Sequence, residues 1–155
     1  MTHDEVLREA YESLRYAEHL VHLVEDVVGD PKILLAALNH LFTAYAYGMQ
    51  AILRQAHARG DLRSIPSRFE DAFRLFRRYC MPLGGDAEEH CTVIRELRDV
   101  VMAHQESAVE FTRQGSYVMC TDDYEMTLLT PQRIRYFTEK GKLFIQQINR
   151  QLDNE

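Results

Sequence analysis

The segment from Arg95 to Gln105 carries two side chains with catalytic chemistry within a mostly apolar stretch. Arg98 and His104 are six positions apart, and Asp99 follows the arginine directly. An imidazole titrates near neutrality and can transfer a proton, while a guanidinium forms planar, charge-assisted hydrogen bonds with phosphate. The pair therefore suits chemistry at a phosphodiester.

On a single helix, Arg98 and His104 lie about 120° apart around the axis and about 9 Å apart along it. One helix therefore cannot close both groups tightly around a single atom. We expect a homodimer whose two-fold axis passes near residue 101, so that two arginines and two histidines share one cleft. The alternative interpretation is that Arg98 pairs with a carboxylate and that His104 is hydrogen-bonded near the core.

The run Arg98-Asp99-Val100-Val101-Met102-Ala103-His104 resembles the R-polar-x4-H motif of the HEPN superfamily (higher eukaryotes and prokaryotes nucleotide-binding domains). In that family the motif sits late in an all-α bundle, and the resemblance extends over about residues 1–114 and the last helix. Many HEPN proteins are metal-independent endoribonucleases that act as dimers with facing motifs. The resemblance implies that His104 transfers the proton, that Arg98 stabilises the phosphate and that Asp99 orients them.

The function that we expect is that of a HEPN-like endoribonuclease, in which a ribose 2′-OH attacks the adjacent phosphate without a metal or cofactor. A role as the toxin of a toxin–antitoxin pair, with a nucleotidyltransferase as antitoxin, is part of this hypothesis. Other HEPN proteins are non-catalytic modules that bind a nucleotide or substrate beside a minimal nucleotidyltransferase, which is the first alternative. The second alternative is a helical interaction scaffold in which Arg98 and His104 are structural.

An arginine-rich middle segment is the candidate surface for RNA. The whole chain is acidic, with a formal net charge of −6, so binding RNA requires a local basic patch. Residues 51–80 carry seven arginines against three acidic residues, a local net charge of +4. Among these, Arg74, Arg77 and Arg78 lie opposite the apolar stripe of one predicted helix and are the RNA-binding candidates. A solvated arginine face without a ligand is the alternative.

The length of the chain indicates one domain, residues 1–155. We expect this domain to be in the reducing cytoplasm. No apolar run approaches the roughly 18–20 residues of a membrane span, and the N-terminus lacks the pattern of a signal peptide. The cysteines Cys80, Cys91 and Cys120 are odd in number and lack CxxC spacing, which argues against a disulfide framework or a cysteine zinc site. No histidine follows a glutamate by three positions, which argues against a ferritin-like di-iron bundle. We interpret His19 and His22 as surface or partly buried histidines, with a metal site as the alternative.

Helical periodicity predicts the elements that position these residues. Five apolar stripes predict helices, within Leu7–Val28, Ile33–Leu53, Phe69–Cys80, Ile94–Phe111 and Ile134–Ile148. Thr2, the pair Asp30-Pro31, a capping box over Ser67–Glu70, and Thr130-Pro131 mark predicted helix starts. Gly29 and Gly115 mark predicted helix ends.

The pattern changes to period two in Ser116–Cys120 and again in Tyr124–Thr130, with turn residues between them. This alternation predicts a short β-hairpin. The predicted fold is all-α, an up-down bundle of about five helices with a short β-hairpin at about 116–130.

Overall fold

Five α-helices and a three-stranded sheet form the part of the chain that the structure, a computed structural model, describes: residues 2–26 and 30–153. The elements in chain order are α1 (His3–Asp26), α2 (Ile33–Ala58), α3 (Phe69–Tyr79), a 3-10 helix (Met81–Asp86), α4 (Ala87–Glu106), β1 (Val109–Arg113), β2 (Ser116–Cys120), β3 (Met126–Leu129) and α5 (Pro131–Asp153). The mainly helical fold with a short β element is therefore confirmed.

Helix α2 is the centre of the helical part, as its apolar composition predicts. It packs against α1, α3, α4 and α5. The alanines Ala37, Ala44 and Ala51, which repeat every seven positions, are all buried. Because these four helices cover α2 within one chain, its apolar surface does not by itself argue for a dimer.

Side-chain caps fix the starts of α1 and α5. The backbone N–H of Glu5 donates to the Thr2 hydroxyl, and the N–H of Thr2 donates to the Glu5 carboxylate, both at 3.3 Å. This pair is a capping box. The Thr130 hydroxyl accepts a backbone N–H from the first turn of α5 at 3.0 Å. The helix end predicted at Gly29 lies outside the described residues.

The capping box predicted over Ser67–Glu70 is wrong. Helix α3 begins at Phe69 after Arg68, an extended residue with no side-chain cap hydrogen bond. The Glu70 carboxylate instead accepts a hydrogen bond from Arg98 at 3.2 Å. The Glu70 carboxylate, which the local pattern assigned to the start of α3, therefore pairs with α4 instead.

The prediction that the fourth helix continues through Phe111 to Gly115 is also wrong. Helix α4 ends at Glu106, and Ser107 has an extended backbone with ψ of 139°. Residues 109–113 pair with β2 instead, which satisfies the backbone N–H and C=O groups that face that strand. Gly115 belongs to a two-residue hairpin loop in which Gln114 and Gly115 both have positive φ, 51° and 79°.

The three strands form an antiparallel sheet in the order β1-β2-β3. The hairpin of β2 and β3 confirms the one predicted at about 116–130, and β1 is an additional strand. Tyr117, Met119 and Leu129 join the hydrophobic core, so this side of the sheet packs towards the helices. No helix in the described ranges is long and apolar enough to cross a membrane.

Candidate functional site

His104 lies in the last turn of α4, where the chain turns into β1 and brings a carboxylate against the imidazole. The Nδ1 atom of His104 is 2.6 Å from Oε2 of Glu110. Since an ionised carboxylate only accepts hydrogen bonds, Nδ1 carries the proton of this contact. In the neutral imidazole, Nε2 is then the nitrogen with a free lone pair, and no described residue hydrogen-bonds it. The side chain is 35% exposed.

Glu110 is the centre of a four-residue polar cluster, which we call the His104 cluster: His104, Ser107, Glu110 and Tyr117. The Tyr117 hydroxyl donates to Oε1 of Glu110 at 2.9 Å, and the Ser107 hydroxyl lies 2.7 Å from Oε2. Ser107, which follows α4, and Tyr117 of β2 therefore orient the carboxylate that holds the imidazole.

Hydrogen bonding sets the charge state of the His104 cluster. Removal from water raises the pKa of Glu110, but hydrogen bonds from Ser107, His104 and Tyr117 together outweigh it and hold this pKa below its usual value. Removal from water, followed by the hydrogen bond to Glu110, raises the pKa of Tyr117. The cluster therefore combines a carboxylate with a neutral tyrosine donor near pH 7.

Arg98 and His104 contact different carboxylates. Its guanidinium pairs with Glu70 of α3 at 3.2 Å and with Asp99 at 3.4 Å, and it lies 6.0 Å from the centre of the Phe73 ring. The side chain is 23% exposed. Its Nε is buried and has no hydrogen-bond partner among the described residues. The guanidinium thus keeps a buried donor at Nε beside the two carboxylates.

One chain does not bring Arg98 and His104 into a shared contact. Asp99 pairs with the arginine, as an orienting role requires, but no contact joins it to His104 within the described chain. Met102 lies between the two motif residues along α4 and is 41% exposed. The split arrangement agrees with the geometry expected of a single helix.

The arginines Arg74, Arg77 and Arg78 lie together on the exposed side of α3. They line a groove of about 260 Å³ between the end of α3 and the start of α4. Arg74 also pairs weakly with Asp71 at 3.7 Å. A second cavity, of about 430 Å³, is lined by Glu12, Arg15, Tyr16 and His19 of α1, and no residue of the His104 cluster lines it.

The structure offers no cluster for a metal ion within the residues that it describes: no three His, Cys, Asp or Glu side chains there could hold one. His40, a histidine of α2, stacks on Tyr16 with ring centres 5.2 Å apart. His104 and Arg98, the residues predicted from the sequence, each have a carboxylate partner, Glu110 and Glu70 respectively.

Glu110, Ser107 and Tyr117 were missed by the sequence reasoning. A helix that continued to residue 114 would separate Glu110 from His104 by about 120° around the axis and about 9 Å along it, since the two residues are six positions apart. The signal for the strand was the alternation of Val109 and Phe111 with polar neighbours. Because α4 ends at Glu106 and β1 begins at Val109, the chain instead returns the Glu110 carboxylate to the imidazole.

Comparisons of the chain with protein-family models, curated proteins and solved structures find no match. The residues and contacts of the site are therefore the basis for a functional assignment.

Proposed function

We propose that the protein is a metal-independent endoribonuclease in which His104 transfers the proton and Glu110 orients it. The observation that carries this proposal is the 2.6 Å contact between His104 Nδ1 and the Glu110 carboxylate. A histidine held through one ring nitrogen by a carboxylate presents the other nitrogen as a base. Because the side chain is 35% exposed, a substrate can reach that nitrogen.

In the proposed reaction, Nε2 of His104 accepts the proton of a ribose 2′-OH, whose oxygen attacks the adjacent phosphorus. The bond from phosphorus to the 5′-oxygen breaks, and this oxygen takes up a proton from protonated His104, which leaves a 2′,3′-cyclic phosphate and a 5′-hydroxyl. Arg98 donates hydrogen bonds to the phosphoryl oxygens as their negative charge increases. No step requires a metal.

A homodimer would bring the two groups together. Arg98 and His104 are each three positions from Val101, or about 4.5 Å along the helix. Val101 is itself only 9% exposed, so the two-fold axis would pass beside the exposed surface of this turn. Antiparallel α4 helices related by it would place Arg98 opposite the partner subunit's His104. The exposed Met102 supplies an apolar contact for such an interface. Light scattering should show that Met102→Glu is monomeric. Thr92→Glu, an exposed control about 15 Å away along the same helix, should remain dimeric.

RNA binding is assigned in this proposal to Arg74, Arg77 and Arg78, whose exposed guanidiniums lie on one side of α3. Phosphate contacts dominate nucleic-acid affinity and are weakened by salt. Replacing all three arginines with glutamine should weaken RNA binding and flatten its dependence on salt. Unchanged binding would remove this surface from the proposal.

The experiment that tests the proposal measures RNA cleavage by the purified protein in the presence of a chelator. We expect cleavage by the wild type and a loss of about 100-fold or more in His104→Ala, the usual contribution of acid–base catalysis. His22→Ala, which removes an exposed histidine of α1, is the matched control and should cleave at the wild-type rate. A wild type that does not cleave RNA, or an active His104→Ala, would contradict the proposal.

The ion pairs of Arg98 with Glu70 and Asp99 favour a second candidate function, a non-catalytic module that binds a nucleotide or substrate beside a nucleotidyltransferase. These carboxylates neutralise the guanidinium and limit the charge that it can offer to a transition state. This function predicts that a nucleotide raises the melting temperature without any RNA cleavage. Arg98→Gln should abolish that rise.

A role as the toxin of a toxin–antitoxin pair extends the first function. Expression of the wild type should then arrest growth, and His104→Ala should not. Co-expression of a nucleotidyltransferase antitoxin should restore growth.

A further inference from the structure

The groove beside α3 contains two free thiols as well as three arginines. Cys80 and Cys91 both line it, together with Arg74, Arg77, Arg78 and Glu88. Three guanidiniums against one carboxylate make the groove positive within a chain whose net charge is −6. Cys80 and Cys91 are only 4% and 5% exposed, so only a small anion bound in the groove can reach their sulfurs.

The connection between α3 and α4 brings the two thiols into contact. Cys80 is the C-cap residue of α3, and Cys91 lies in the second turn of α4. Between them, Gly84 interrupts the 3-10 helix with a φ of 78°, a conformation that favours glycine. After this reversal of the chain, the Cys91 thiol interacts with the Cys80 sulfur, which lies 3.5 Å from the Arg77 carbonyl oxygen.

The contact gives the two sulfurs different chemical roles. The hydrogen bond from Cys91 is the largest cause that lowers the pKa of Cys80 to about 7; removal from water opposes it, and Arg77 and Glu88 act weakly in opposite directions. The same hydrogen bond raises the pKa of Cys91, which keeps its proton. Because the thiolate is the nucleophile, Cys80 attacks first and Cys91 resolves.

We propose that Cys80 and Cys91 form a redox-active dithiol site that reacts with anionic low-molecular-weight disulfides drawn into the groove by Arg74, Arg77 and Arg78. The contact between the two thiols and the shared arginine-lined groove carry this assignment. It is independent of RNA cleavage, since neither thiol belongs to the His104 cluster.

The reaction is a two-step thiol–disulfide exchange. The Cys80 thiolate attacks one sulfur of the small disulfide, whose S–S bond breaks and releases one small thiolate. The Cys91 sulfur then loses its proton and attacks Sγ of Cys80, which releases the second small thiolate. Two electrons pass from the protein to the small disulfide, leaving one protein disulfide and, after protonation, two small thiols.

The test treats the reduced full-length protein with oxidised glutathione, an anionic disulfide, and in parallel with cystamine, a cationic one. Peptide mapping should identify a Cys80–Cys91 disulfide that dithiothreitol reverses. We expect the anionic reagent to react about tenfold faster at low salt, the lower end of the gain that a charged cleft gives to association. Salt should reduce that ratio. Equal or reversed rates would overturn the assignment of an anionic reagent.

Single substitutions separate the two roles. Cys91→Ser should stop at a mixed disulfide on Cys80, and Arg77→Gln should slow the reaction with oxidised glutathione more than the reaction with cystamine. Cys120→Ser, which removes the partly buried cysteine of β2, is the control and should behave as the wild type. The wild-type result stands even if a variant fails to fold. Modification of Cys120 alone, with no Cys80–Cys91 disulfide, would overturn the proposal.

Discussion

Replacing Glu110 with alanine removes the acceptor on which the His104 cluster depends. The carboxylate lies 2.6 Å from His104 Nδ1, 2.7 Å from the Ser107 hydroxyl and 2.9 Å from the Tyr117 hydroxyl. In the variant these three groups lose one common partner. Ser107 keeps the His104 carbonyl within hydrogen-bond distance at 3.0 Å, whereas Tyr117, only 6% exposed, has little access to water.

The size of the effect follows from burial. A hydrogen bond to a charged group contributes about 1.5–3 kcal/mol, and an unsatisfied buried group costs about 1–3 kcal/mol. Glu110 and His104 are partly exposed, at 20% and 35%, so their share lies at the low end. We therefore expect Glu110→Ala to lower the free energy of unfolding by about 2–3 kcal/mol. For a domain of this size the melting temperature should fall by roughly 4–12 °C.

The assay is urea or thermal unfolding at pH 7, with Glu106→Ala as the matched control. Glu106 is an exposed glutamate at the end of the same helix, so its loss should change stability by less than about 0.5 kcal/mol. Because the pKa of Glu110 is lowered in the fold, its contribution is complete above the ordinary glutamate pKa and is lost as the pH falls through the folded value. Equal unfolding curves for the two variants at pH 7 would refute the reasoning.

Two further predictions concern packing and thiol reactivity. Gly48→Ala should destabilise the protein by about 1–3 kcal/mol in urea unfolding, because its Cβ would lie 2.6 Å from Phe144 Cε2, whereas Gly85→Ala meets no atom within 4 Å and should be almost neutral. Alkylation of Cys80 should become faster with rising pH and reach half its maximal rate near pH 7, because Cys91 lowers the pKa of this thiol to about 7. A midpoint near 8.5, the value of an ordinary cysteine, would contradict the second prediction.

Local patterns predicted the parts of the fold that depend on local physics. The N-cap at Thr2, the apolar stripe of α2 and the alternation in β2 each follow from neighbouring residues. The stretch after His104 was predicted incorrectly because Ala108 and Phe111 fit a helical stripe, while Val109 and Phe111 also fit a strand. Pairing with β2, which is not visible in the segment itself, decides between the two periods.

The residues of the candidate site were also predicted only in part. His104 and Arg98 were found from their residue types and spacing, and the prediction that one helix cannot join them agrees with their separate partners, Glu110 and Glu70. Glu70 is distant from Arg98 in the sequence, and the position of Glu110 relative to His104 depends on where α4 ends. Glu70 was assigned to a cap because Ser67 precedes it at the right spacing, and only the packing of α3 against α4 assigns it to Arg98.

The central claim is that Glu110 holds His104 in place for proton transfer to and from RNA. It is tested most directly by the rate of RNA cleavage, with chelator present, in Glu110→Gln relative to Glu106→Gln. Glutamine keeps the size of the side chain but loses the charge that fixes the proton on Nδ1 of the imidazole. The account predicts a rate at least about 100-fold lower in Glu110→Gln. Equal rates in the two folded variants, or no cleavage by the wild type, would contradict it.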